Sequence, residues 1–145
     1  MTVRSYTLAL ALMLGAGAAW AEAATEVDVF KSPQCGCCEQ WIKHLRSNGF
    51  QVQTHKATEL PAAIAKLRIP ESLESCHTAK IGGYVVIGHV PVADIRRLLK
   101  EKPKAIGLTV PGMPDGSPGM EQGSPIPYET LLVQLDGTTR VFARH

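Results

Sequence analysis

The stretch Cys35-Gly36-Cys37-Cys38 puts three sulfur atoms into four residues of a 145-residue chain, and Cys76 is the one remaining cysteine. Three thiols this close cannot each find a separate distant partner. A bridge between the neighbours Cys37 and Cys38 would be strained. Disulfide stapling therefore accounts for one pair and leaves a thiol cluster over. Cys35 and Cys38 keep the C-x-x-C spacing of a dithiol redox site. Cys37, set between them, offers a competing partner and hinders a clean dithiol–disulfide cycle. The same third thiol helps a metal site, because soft thiolates favour Cu(I), zinc and iron–sulfur clusters. Crowding of this kind also favours sulfur atoms that bridge two or more ions, since they cannot spread around one.

Other soft or borderline donors follow. Cys76 is joined directly to His77, and His89 follows Gly88. Met113 and Met120 sit in the segment P-G-M-P-D-G-S-P-G-M-E. Each has an ordinary alternative: strand histidines that are simply hydrogen-bonded, and methionines that anchor a loop by burial. Taken together, Cys, His and Met fit copper better than zinc, which takes thioether poorly. His44, seven residues after Cys37, reads as a polar helix residue, and Trp41 as core. His55 and His145 carry no contextual signal.

The elements that must position these groups are legible as periodicities. Glu26 to Lys31 alternates as a strand, and Ser32-Pro33-Gln34 turns. Trp41, Ile42 and Leu45 follow Cys38 at helical spacing, and Asn48-Gly49 stops that helix. Phe50 to His55 alternates again. Thr58 through Arg68 reads as a helix with Leu60, Ile64 and Leu67 on its apolar stripe. Ile69-Pro70 ends it. Leu73 to Ile81 and Tyr84 to Val90 read as strands around Gly82-Gly83, and Pro91 opens a helix to about Lys102. The order β-α-β-α-β-β-α, with a cysteine motif at a helix N-terminus, predicts an α/β, thioredoxin-like domain over residues 22–102. It places Ile69-Pro70 where such folds carry a cis-proline facing the thiols. Residues 103–145 form a C-terminal extension. Its segment 107–127 is a Gly/Pro-rich loop without periodicity, followed by a β-hairpin, Tyr128 to Leu135 and Thr138 to Arg144, around Asp136-Gly137.

The N-terminus predicts export. Arg4 precedes the apolar run Leu8 to Ala19, and Ala19-Trp20-Ala21 offers a cleavage site, with Ala21-Glu22-Ala23 as a one-register alternative. Residues 1–21 are thus expected as a signal peptide and Glu22 as the first mature residue. The run is short for a bilayer span, which needs about 20 residues, and no second stretch could cross one. Hydrophobic residues make up 45% of the chain, enough for a core, while the net charge is only +2. With 6% aromatic residues and no dense basic run, the chain has no sequence signature of nucleic-acid binding.

The sequence resembles the periplasmic copper-resistance CopG family, which is distinct from the plasmid repressor of that name. The resemblance is carried by Lys31-Ser32-Pro33-Gln34-Cys35-Gly36-Cys37-Cys38 with Trp41 and His44-Leu45, and by Ser75-Cys76-His77-Thr78-Ala79. It continues through Gly83-Tyr84-Val85-Val86, Gly88-His89-Val90-Pro91, Gly107-Leu108, and Pro111-Gly112-Met113-Pro114 to Gly116-Ser117-Pro118-Gly119-Met120-Glu121. Ile87 departs from it, standing where an acidic residue is expected. The resemblance implies periplasmic copper handling beside an efflux system or chaperone, with interconversion of Cu(I) and Cu(II) as one form of that role. The expected metal ligands are Cys35, Cys37, Cys38, Cys76, His77, His89, Met113 and Met120, holding copper in a site open to a polynuclear thiolate-bridged cluster. A thiol–disulfide oxidoreductase using Cys35 and Cys38, and a passive copper chaperone, stay open as alternatives. Whether the chain is a copper-linked oxidoreductase stays open too, while nothing points to a hydrolase or transferase.

Overall fold

The computed structural model describes residues 24–67 and 69–145. The expected signal peptide, residues 1–21, and Arg68 lie outside the described residues. β1 (Glu26–Lys31), β2 (Gln51–Lys56), β3 (His77–Ile81), β4 (Tyr84–Ile87), β5 (Gly107–Thr109), β6 (Glu129–Val133) and β7 (Thr139–Arg144) form one sheet in the order β2-β1-β3-β4-β5-β6-β7. β1 pairs β2 in parallel and β3 antiparallel; β3 and β4 form an antiparallel hairpin. β5 then runs parallel to β4, and β6 and β7 continue antiparallel. The C-terminal 43 residues thus extend the same sheet by three strands.

α1 (Gly36–Ser47) and α3 (Val92–Glu101) lie side by side. The Val92 N–H donates to His44 Nε2 at 3.4 Å, and Arg96 donates to the Asn48 carbonyl at 2.7 Å. His44, expected only as a polar helix residue, thereby caps a neighbouring helix. Trp41, Ile42 and Leu45 of α1 and Ile95 and Leu98 of α3 are fully buried against Val27, Val29, Ile81, Val86 and Leu108 in a single core. Burial of one apolar stripe per helix holds the two helices on the sheet, each buried aliphatic side chain contributing about 1.5–3 kcal/mol.

Four elements differ from expectation. The helix expected from Thr58 is a short 3₁₀ turn, Ala57–Glu59, followed by a four-residue α2 (Ala62–Ala65). Pro61 explains the break: its ring keeps Leu60 extended and it has no N–H to give. Pro70 likewise leads into a 3₁₀ turn at Glu71–Leu73, so β3 starts at His77 rather than Leu73. The residue directly before β3 is Cys76, Pro70 stands six residues upstream, and the peptide bonds among the described residues are all trans. Residues 107–109, expected in the loop, are β5, and β4 ends at Ile87 rather than Val90. Gly88 turns the chain there at φ 74°, where a Cβ would come within 2.5 Å of the Val110 carbonyl oxygen. Among the described residues, no helix is long and apolar enough to cross a membrane.

Candidate metal centre

The site lies where the N-terminus of α1, the residue before β3, the turn after β4 and the C-terminal loop converge. Cys35 is the N-cap of α1, and its sulfur accepts the Cys38 N–H at 3.3 Å. The motif therefore stands at the positive end of a three-turn helix, which favours sulfur bearing negative charge. Lys31, 6% exposed at the end of β1, reaches Glu39 in the first turn at 2.7 Å and ties strand to helix below the motif.

All four cysteine sulfurs lie within 4.8 Å of one another. Cys35 and Cys38 are joined as a disulfide, and Cys37 and Cys76 are free. Cys37 Sγ is 3.5 Å from Cys35 Sγ, 3.8 Å from Cys76 Sγ and 3.9 Å from Met113 Sδ. Cys38 Sγ lies 3.6 Å from the Cys76 carbonyl oxygen. Cys76 Sγ is 3.1 Å from His89 Nε2 and 3.3 Å from His77 Nδ1. Burial first, then the neighbouring Cys37 thiol, push the Cys76 thiol up to about 11. Burial also lowers His89, and burial with the nearby His89 ring brings His77 down to about 3, so both imidazoles are neutral and free to donate a lone pair.

The two histidines are held differently. His89 is fully buried, and its Nδ1 donates to the Pro118 carbonyl at 2.8 Å. That bond leaves the Nε2 lone pair aimed at Cys76, the arrangement by which an outer hydrogen bond sets the tautomer of a ligating histidine. His77 packs on Trp41 with ring centroids 4.3 Å apart, and its buried Nε2 has no hydrogen-bond partner. A buried polar atom left unpaired costs about 1–3 kcal/mol, and such a cost fits a residue retained for ligand chemistry.

The loop that covers the site is internally bonded. Ser117 N–H donates to the Pro114 carbonyl, Met120 N–H to Ser117, and Gly116 N–H to Met120. It is fastened to the body by Val110 N–H on Ile87, by Gly112 N–H on Glu74, and by Ser75 Oγ on Gly112. Gly119, at φ 90°, runs so close to α1 that a Cβ would stand 2.8 Å from Trp41 N and 3.2 Å from His89 Nδ1. Met113 is 51% exposed, so it does not pin the loop by burial. Met113 and Met120 line, with Cys37 and Asp115, an open cleft of about 690 Å³.

Every residue expected at the site from sequence thus gathers at one end of the sheet. The thiols cluster together, Met113 touches Cys37, and His77 and His89 touch Cys76, while Met120 lines the cleft beside them. The sequence reading missed Pro118, Gly119 and Lys31. Pro118 acts through a backbone carbonyl, which leaves no side-chain signature. His55 and His145 lie elsewhere, each beside a carboxylate: Asp28 for His55 and Asp94 for His145, both at 2.9 Å.

This α/β sheet, with a thiol cluster at a helix N-terminus and histidine and thioether side chains over it, has the donor chemistry of a candidate soft-metal site. A family described as "Protein of unknown function, DUF411" matches residues 73–120. Two solved structures, copper resistance protein copG in form 1 and form 2, are each 43% identical, with a TM-score of 0.76, covering 84% of this chain and 98% of theirs. No curated protein matches the chain. The chain belongs to the CopG copper-resistance family.

Proposed function

We propose that the chain is a periplasmic copper-binding protein of copper resistance, with copper as its cargo. The observation that carries this reading is the meeting of Cys37 with Cys35, Cys76 and Met113 while His77 and His89 flank Cys76. Cys35, Cys37, Cys38 and Cys76 are the thiolate ligands, and His77, His89, Met113 and Met120 complete the set. Four sulfurs within 4.8 Å of one another can surround one ion or be shared between several, and the polynuclear, thiolate-bridged form is the shared case. The fold reading is thioredoxin-like. It is supported by the strand order β2-β1-β3-β4, by the parallel β1/β2 pair, and by a disulfide-bonded C-x-x-C at the start of α1. Export through a cleaved signal, delivery to an efflux system or chaperone, and interconversion of Cu(I) and Cu(II) belong to the same proposal. Oxidation of the Cys35 and Cys38 thiolates to their disulfide releases two electrons, which reduce two Cu(II) to two Cu(I).

A second reading, a thiol–disulfide oxidoreductase, is favoured by that same Cys35–Cys38 disulfide. One experiment separates the two. Anaerobic Cu(I) titration in the presence of excess zinc, run beside insulin reduction, compares the native chain with Cys37→Ser. For a copper protein, the native chain keeps Cu(I) against zinc and the variant loses copper stoichiometry. Normal copper stoichiometry in Cys37→Ser, or displacement of copper by zinc, would overturn the copper assignment.

A further inference from the structure

The four thiols are not equivalent. With Cys35 and Cys38 bonded to each other, Cys37 and Cys76 stay free and 3.8 Å apart. His89 Nε2 stands 3.1 Å from Cys76 Sγ, and Met113 Sδ stands 3.9 Å from Cys37 Sγ on the open side. These four donors come from four separate segments, and none is consumed by the disulfide. His89 is already oriented, because its Nδ1 is committed to the Pro118 carbonyl. Cys76 is common to both sets of side chains that lie within 4.8 Å of one another, the four cysteines and Cys76 with His77 and His89, and thiolate, imidazole nitrogen and thioether are donors that a soft monovalent ion takes.

We infer that the disulfide form of the chain is itself a copper protein: Cys37, Cys76 and His89, with Met113 on the solvent side, hold a single Cu(I) while Cys35 and Cys38 remain bonded. The inference rests on the copper reading above and divides that site by redox state. Reduction then adds capacity. A dithiol donor passes two electrons and two protons to the Cys35–Cys38 bond, becomes a disulfide itself, and leaves two further thiols beside the occupied pair. An oxidising compartment, in which such a disulfide persists, therefore does not empty the site. The chain carries one ion when oxidised and several when reduced, and the number is set by the thiol donor it meets.

The test is anaerobic Cu(I) titration against a chromophoric chelator, using the full mature chain in its disulfide form and again after phosphine reduction and removal of the reductant. Peptide mapping checks that the Cys35–Cys38 bond survives loading. The disulfide form is expected to retain one Cu(I) per chain, to lose it in Cys76→Ser, and to have both free thiols shielded from alkylation when loaded. The reduced chain is expected to retain more than one. The Cys35→Ser, Cys38→Ser double variant is expected to fall from that higher number to one. A disulfide form that binds no Cu(I) while the reduced chain binds it would overturn this inference and leave the copper reading standing. Equal stoichiometry in both forms would overturn it as well. Absence of binding in both forms would sink the copper reading itself.

Discussion

Chemistry at this site depends on atoms held at contact distance by backbone rather than by bulk. His89 offers Nε2 to Cys76 because Pro118 accepts the proton on Nδ1, and Pro118 reaches that point because Gly119 lets the loop lie against α1. Gly119 is at φ 90°, a conformation open to glycine and strained for other residues. Gly119→Ala adds that strain to a collision with Trp41 N, Cys37 O and His89 Nδ1. Loss of about 1–3 kcal/mol of stability is expected. Cu(I) affinity should fall with it, because the displaced carbonyl no longer holds the ring. Urea denaturation and chelator competition measure the two effects. Lost stability with unchanged affinity would show that His89 needs no help from the loop.

Among the elements, the covering loop shows how order arises without helix or strand. A segment of its length and Gly/Pro content is costly to fix. Its own turns and its bonds to Ile87, Glu74 and Ser75 supply part of what fixes it. Copper is therefore expected to tighten an already folded loop. Limited proteolysis of the segment 110–127 should slow when Cu(I) is added, and the Met113→Ala, Met120→Ala variant should lose that protection. Because Met113 is exposed, its removal should change apo stability by no more than about 0.5 kcal/mol. A large drop in apo stability with copper affinity intact would make the two methionines packing residues. The same loop marks what the sequence could and could not reveal. β1, α1 and the final hairpin announce themselves through period 2, period 3.6 and Asp136-Gly137. β5 does not: three residues, all buried, are too few to show alternation inside a Gly/Pro run. The Leu60, Ile64, Leu67 stripe suggested a helix that Pro61 shortens, a case of local sterics outweighing a hydrophobic pattern. The cysteine, histidine and methionine side chains that gather at the site were legible as a group because their chemistry lies in the side chain, whereas Pro118 and Gly119 contribute through backbone and absence of side chain.

For the whole molecule, the buried imidazoles set the response to acid. Between about 3 and 6.5, His77 takes up a proton in the unfolded chain but not in the folded one. The contribution of His77 to apo stability therefore falls as pH drops below 6.5 and levels off near 3, and burial pushes His89 and His44 the same way. Urea midpoints of apo protein between pH 7 and pH 4 should decline, and His77→Leu should flatten the decline; an unchanged slope in that variant would assign the acid response to other groups. One further property follows from the packing of Trp41. Its indole is fully buried, donates to the Val90 carbonyl at 2.9 Å, and faces the His77 ring. The only other tryptophan is Trp20, so a chain beginning at Glu22 has a single fluorophore of this kind, seated three residues from Cys38. Its emission becomes an optical gauge of loading. Each Cu(I) equivalent should quench it without shifting its colour, and a red shift during the titration would report an opened core instead of a filled site.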